Sequence, residues 1–389
     1  MAKRIPRWSL PVLLCLLLAA PSRPAQKAQR PSRSEAQAEQ ELVWPLPPAP
    51  PRVRWLGQIT KVSDIVKKKK KKRSWIDRLA GVQEPKEHEV RLLRPYGIAV
   101  DSRGRIYVAD GFQRSVLVFD RAARRVEVRG RSARAPFALP VGVALDAQDR
   151  LFVSDSYAHT ITCFDPKGRV QAQFGRQELK RPGGLAVDRK RHRLYVADAK
   201  AHRVAVFDTE TFAFQRYLGG PSTPGRREPG RFAAPTNVAV GPRGNLYVAD
   251  TWNHRVQVFD RRGRFLRAFG SHGTRPGNFV RPKGIAVDSK GHIYVVDAEF
   301  NNFQIFSPEG QPLLAVGNLG PEPGQFILIA GIFVDEQDRI YTTEHLGGRV
   351  QIFQYLSQPD SVSEQEVSQA RETRTKTSTA AIVSRQGGK

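Results

Sequence analysis

The chain has 389 residues, 26% charged and 40% hydrophobic, a mixture ordinary for a soluble globular protein and unlike that of a disordered or fibrous one. The net charge of +26 is not ordinary, and residues 1–73, with 17 basic and four acidic side chains, hold half of it. Such a balance points to anionic company, whether nucleic acid, phospholipid headgroups or acidic polysaccharide, and says nothing about fold.

From the N-terminus, "MAKRIPRWSLPVLLCLLLAAPS" sets Lys3, Arg4 and Arg7 before an apolar run from Leu10 to Ala20 and then turns small and polar. This is the layout of a cleaved signal peptide over residues 1–22, with a run short for a bilayer span, so the protein is expected to be exported. Cys15 follows Leu14 inside that run, where a lipid-modified cysteine needs a small neighbour, and is read as part of the leader. Cys163 then remains alone, which excludes an internal disulfide and leaves stability to a large core.

Residues 23–50, rich in Pro, Ala, Gln, Arg and Ser, read as a disordered tether. Residues 51–60 hold an isolated strand, "RVRWLG". Residues 61–90 form a basic linker with the run Lys67 to Lys72 and a short helix in "SWIDRLAG", capped by Ser74 with Asp77 three residues on and ended at Gly81.

Over residues 91–356 the chain repeats itself six times: "YGIAVDSRGRIYVADGFQRSVLVFD", "VGVALDAQDRLFVSDSYAHTITCFD", "GGLAVDRKRHRLYVADAKAHRVAVFD", "TNVAVGPRGNLYVADTWNHRVQVFD", "KGIAVDSKGHIYVVDAEFNNFQIFS" and "AGIFVDEQDRIYTTEHLGGRVQIFQ". Each copy has three apolar runs of strand length separated by turn residues, and most are followed by a weaker fourth such as "RFLRAFG". The runs are apolar at nearly every position, so both faces of each sheet should be covered. Four-stranded units repeated radially predict an all-β, six-bladed β-propeller. The sixth copy lacks a fourth run; "RVRWLG" resembles it and is predicted to close blade six, leaving no bare edge. Residues 357–389 are polar and aperiodic, a disordered tail.

The lead-in proline, the apolar strand ending in Asp, "YVAD" and the Asn-His-Arg-Val turn into "VQVFD" resemble the NHL repeat family over about 265 residues. That resemblance implies a propeller used mainly to bind proteins or RNA.

Residues that look chemical recur with the repeat and are therefore expected to be architectural. His159, His202 and His254 share one slot, and carboxylates five residues before an arginine pair Asp198 with Arg203, Asp250 with Arg255 and Glu344 with Arg349. Equivalent slots lie at least about 7 Å from the axis and as far apart, because they stand about 1.5 strand spacings beyond the innermost strand. Zinc ligands must reach within about 2.1 Å of one ion, so no metal site and no cofactor are expected. His88, His192, His272, His292 and His345 show no ligand spacing; Asp101, Asp188 and Asp288 read as hairpin staples, Cys163 as a buried small hydrophobe, and Phe232, Phe279 and Phe326 as plugs between blades.

The face carrying the blade connections, here called the top, is where a ligand is expected. It collects Arg94, Arg181, Arg281 and Lys283 around the innermost strands, with Phe112, Tyr157 and Trp252 farther out. The leading expectation is an exported, non-catalytic scaffold that binds a protein or anionic polymer there, with Lys67 to Lys72 available to an anionic membrane surface. A leader argues against nucleic acid. The rivals are a metal-dependent propeller lyase or hydrolase with an axial site, and an RNA-binding NHL propeller if the leader is misread.

Overall fold

The computed structural model describes residues 41–66, 90–130, 136–223 and 226–356. The leader, most of the tether, the lysine run, the helix expected after Ser74 and the C-terminal tail lie outside these. Among the described residues the strands form six antiparallel sheets. Five have four strands each, in chain order from the axis outward, over residues 95–129, 140–174, 182–218, 235–269 and 282–316. The innermost strands Pro95–Val100, Pro140–Leu145, Pro182–Asp188, Pro235–Val240, Pro282–Val287 and Ile329–Val334 contact one another in sequence order, and the last contacts the first. The ring is closed, as a six-bladed β-propeller requires.

The unbroken apolar runs become strands covered on both faces by neighbouring blades. Ile106–Asp110, Leu151–Asp155, Leu246–Asp250 and Ile293–Asp297 are buried at every position. The weaker fourth runs become outermost strands: along Phe265–Phe269 half-buried and exposed residues alternate, because one face meets solvent.

Toward the axis the blades meet backbone to backbone. A Cβ on Gly142 would lie 2.3 Å from the carbonyl oxygen of Gly183, and one on Gly331 2.1 Å from that of Tyr96, so only glycine fits. Ser154 and Thr343 replace the alanine of "YVAD" beside these points and rivet neighbouring blades. The Ser154 hydroxyl accepts the Gly142 N–H at 2.8 Å and donates to Gly183 O at 2.6 Å; Thr343 accepts the Gly331 N–H at 2.9 Å and donates to Tyr96 O at 2.5 Å.

Farther out, the predicted plugs Phe232, Phe279 and Phe326 are fully buried. Phe326 meets Phe303 of blade five and Phe353 of blade six, with ring centres 6.2 and 6.1 Å apart. The glycine ending the preceding fourth strand leaves room for each plug. Gly270, at φ +87°, faces Phe279 so closely that a Cβ would sit 2.4 Å from a ring carbon.

Blade six, whose own three strands are Ile329–Val334, Arg339–Glu344 and Arg349–Tyr355, is completed from the other end of the chain. Val53–Ile59 pairs antiparallel with Arg349–Tyr355, from Val53 opposite Tyr355 to Ile59 opposite Val350. Trp55 Nε1 donates to Gln351 Oε1 at 3.0 Å, and Arg349 Nη1 to Gln58 Oε1 at 3.1 Å.

The tether expected over 23–50 needs correction at its end. Val43–Trp44 adds a fifth strand to this sheet, opposite Arg54 and Val53, and Trp44 packs edge-on against Phe353 at 5.7 Å. Composition averaged over thirty residues hid two apolar side chains that need only a bare edge to pair with.

Two outcomes are expected. Gly270→Ala combines a left-handed penalty of about 1–2 kcal/mol with displacement of a buried ring, and should lower unfolding free energy by ~3 kcal/mol in denaturant titration; an unchanged midpoint would refute the seam role. Removing residues 1–60 bares the third strand of blade six, and the product should melt at least about 5 °C below one lacking only residues 1–40, since each kcal/mol shifts the midpoint by a few degrees.

Candidate functional site

The carboxylate ending the second strand of every blade is buried and saturated. Asp110 accepts the N–H groups of Leu93 and Arg94 from the chain leading into its blade and those of Phe112 and Gln113 from its own turn. Asp155 does the same with Ala138, Leu139, Tyr157 and Ala158. In two blades the expected arginine completes the staple: Arg255 Nε lies 2.8 Å from Asp250 Oδ2 and Arg349 Nε 2.5 Å from Glu344 Oε1, whereas Arg203 Nε stands 3.7 Å from Asp198 without a hydrogen bond, its guanidinium over the Tyr217 ring. Arg255 also donates to the carbonyls of Arg227, Glu228 and Arg231, tying the blade connection down.

In three of its copies, His202, His254 and Asn301, the shared slot is a latch between blades. His159, His202, His254 and Asn301 have φ of 60, 53, 53 and 52°, a left-handed conformation that Asn and His tolerate better than most residues. His202 Nδ1 accepts the Ala234 N–H of the next blade at 3.0 Å. His254 Nδ1 lies 2.8 Å from Val280 O, which requires it to carry the proton, and Asn301 Oδ1 accepts the Leu328 N–H at 2.6 Å. Among the described residues no group of three or more His, Cys, Asp or Glu is arranged to hold a metal ion.

On the opposite face Asp101 and Asp288 staple their hairpins as predicted. Asp101 binds Arg105 Nε at 2.6 Å and Asp288 binds His292 Nδ1 at 2.8 Å, each also accepting a buried tyrosine hydroxyl; Asp188 binds Arg191 at 2.9 Å. Cys163 is buried, and desolvation pushes its thiol up to about 12, so it is inert at neutral pH.

The top-face residues fall into separate groups. The backbone N–H groups of Arg94, Arg181 and Arg281 bind the staple carboxylates while their side chains are exposed. Arg94 lies over the Phe112 ring at 5.6 Å; Arg281 is neutralised by Glu299 at 3.0 Å. Phe112, Tyr157 and Trp252 are 63, 77 and 73% exposed on three different blades.

Lys283 Nζ lies 5.6 Å from the centre of the Tyr96 ring, and His345 packs edge-on against the same ring at 4.7 Å. Burial, and then the charges of Lys283 and Arg94, hold the His345 imidazole below its ordinary range against a smaller opposing pull from Asp110, leaving it neutral at pH 7. Tyr96 carries no motif of its own and His345 lacks ligand spacing, yet both depart from the small residues that the repeat places in their slots.

Below the glycine layer the axis holds a cavity of about 1080 Å³ that reaches the hairpins of the opposite face. Ile98, Leu145, Val187, Val240, Ile285 and Phe333 contribute to its wall. Among the described residues each innermost strand pairs on one side alone, which leaves its other edge of N–H and C=O groups toward this space. Those groups need water or a polar ligand, and a wholly apolar occupant would strand them.

A closed ring of six repeat-built sheets defines a six-bladed propeller. The NHL repeat profile matches residues 137–164, 179–207, 232–259 and 279–306, which fall in blades two to five, so four of the six blades are NHL repeats. A 46-residue stretch is 50% identical to the Drosophila melanogaster protein brain tumor, covering 12% of this chain and 4% of that protein. Similar solved structures include a catalytically inactive virginiamycin B lyase from Staphylococcus aureus with quinupristin (TM-score 0.52, 12% identity, 68% of this chain and 96% of that one). A gluconolactonase from Xanthomonas campestris is also similar (TM-score 0.53, 20% identity, 68% and 86%). At these identities the likeness is one of fold.

Arg255 is 3% exposed and faces a fully buried Asp250. Arg255→Met should therefore cost about 3–5 kcal/mol, the range for leaving a buried charge unpaired. Urea unfolding reads this, and a loss below about 1 kcal/mol would reduce the staple to a surface pair.

Proposed function

We propose that this NHL propeller is an exported, non-catalytic interaction scaffold that takes a protein partner on its basic top face. The observation that carries this reading is the exposure of Phe112, Tyr157 and Trp252 at one turn position repeated on three blades, beside the exposed cations Arg94 and Arg181. So exposed, these rings add little to the core, yet they offer flat apolar area next to positive charge, the chemistry of a protein-binding surface. The buried carboxylates and the latch histidines are already engaged in holding blades together, so the top-face cations and aromatics are the groups left for a ligand.

Export rests on the leader-like residues 1–22, which lie outside the described residues, as does the run from Lys67 to Lys72 that would bring an anionic surface close to the propeller. Sequencing the N-terminus of the mature protein tests the leader.

The binding reading is tested by recovering partners from cell-envelope extract with the wild type and with a variant carrying Arg94→Glu, Arg181→Glu and Arg281→Glu. Reversing three charges on one face is expected to remove the partners at physiological salt. Equal recovery by both proteins would discard the top face as the site.

A further inference from the structure

Duplication accounts for the residues that recur from blade to blade, so those that break the repeat near the axis call for another cause. The residue that opens the innermost strand after its first position is Val141, Gly183, Thr236 and Ala330 in four blades, but Tyr96 in blade one and Lys283 in blade five. The residue after the staple carboxylate is Gly111, Ser156, Ala199, Thr251 and Ala298 in five blades, but His345 in blade six. Blades five, six and one are consecutive around the ring, so the three departures meet: Lys283 and His345 approach the Tyr96 ring from neighbouring blades.

Packing does not explain this group. His345 Nδ1 is buried without a hydrogen-bond partner, a costly state for a polar atom. Among the described residues Arg94 and Lys283 are engaged through aromatic faces and not through carboxylates, whereas Arg281 on the same face has Glu299. Asp110, the nearby acid, has its oxygens taken by backbone N–H groups. Two positive charges and an unsatisfied imidazole therefore stand together at the mouth of the axis. Around them Leu93, Phe112 and Leu346 are exposed by 45, 63 and 61%.

We infer that the mouth formed by Arg94, Tyr96, Lys283 and His345 is a carboxylate site for an acidic side chain of a peptide, whose flanking apolar residues rest on Leu93, Phe112 and Leu346. A carboxylate gives the cations their missing partner and accepts a hydrogen bond from the imidazole or the tyrosine hydroxyl. The apolar rim selects a peptide over a bare anion, because a phosphate or a free carboxylate makes no use of it. This rests on the top-face reading above and names its ligand chemistry.

The test uses a fluorescein-labelled pentapeptide with one glutamate between two leucines and its glutamine counterpart, read by fluorescence anisotropy with the full chain. Wild type should bind the glutamate peptide at least tenfold more tightly than the glutamine peptide. Lys283→Met and His345→Phe, which keep side-chain bulk, should each erase most of that preference, while Arg169→Glu on the opposite face should keep it. Acetate should displace the peptide only at concentrations at least a hundredfold higher.

Equal binding of the two peptides by wild type, or a preference that survives both mouth variants, would overturn the site; displacement by acetate at comparable concentration would overturn its peptide specificity. If the triple arginine variant loses its envelope partners while wild type ignores the glutamate, this inference alone fails. If the partners survive and the glutamate preference holds, the top-face reading alone fails.

Discussion

Ring closure is the constraint on which the rest depends. A blade is a twisted sheet with two faces to cover and two edges to manage, and six blades around an axis cover every face without adding another layer. The scheme works only if the last blade meets the first. Here that junction is built from both ends of the propeller chain: Val53–Ile59 pairs with Arg349–Tyr355, while the innermost strand of blade six lies against that of blade one. The hydrogen bond from Thr343 to the carbonyl of Tyr96 crosses the same junction. Separating the two ends would expose apolar blade faces as well as a strand edge, so the closing strand contributes more than its own ladder.

Once the ring is set, most polar chemistry follows from holding its turns in place. A stretch such as "DTWNHRVQVFD" contains an aspartate, a histidine and an arginine that suggest a catalytic or metal site. In the folded chain Asp250 and Arg255 fasten the blade connection, and His254 reaches the next blade's backbone. Such groups are buried because main-chain N–H and C=O groups at the turns need partners that strands do not provide. The same requirement leaves the axial channel lined by the free edges of the innermost strands, a wet interior although many of its side chains are aliphatic.

Asymmetry enters where that requirement is absent. Near the top of the axis the repeat needs only small residues, and Tyr96, Lys283 and His345 use the space that small residues leave. Their neighbours in sequence are ordinary strand and turn residues, and nothing in the local pattern distinguishes His345 from the structural histidines. Its distinction is the slot it occupies, recognised by aligning the six copies and asking which positions depart from them. The top-face arginines were legible earlier, since their place before the innermost strand follows from topology. Which of them carries a neutralising partner, as Arg281 does with Glu299, was not.

The amino-acid sequence alone determined the number of blades, the order of strands within them, the closing strand and the structural role of the recurring carboxylates, because each follows from a local pattern copied six times. It was misleading over residues 41–50, where Val43 and Trp44 pair with Arg54 and Val53 on a strand that is itself held in place by Arg349–Tyr355, and Trp44 packs on Phe353 three hundred residues away. Only the tertiary structure decided that His202, His254 and Asn301 latch successive blades, that Gly142 and Gly331 admit backbone contact, and that Tyr96, Lys283 and His345 share one mouth. Those are relations between blades, and periodicity within a blade carries no information about what stands across the seam or around the axis.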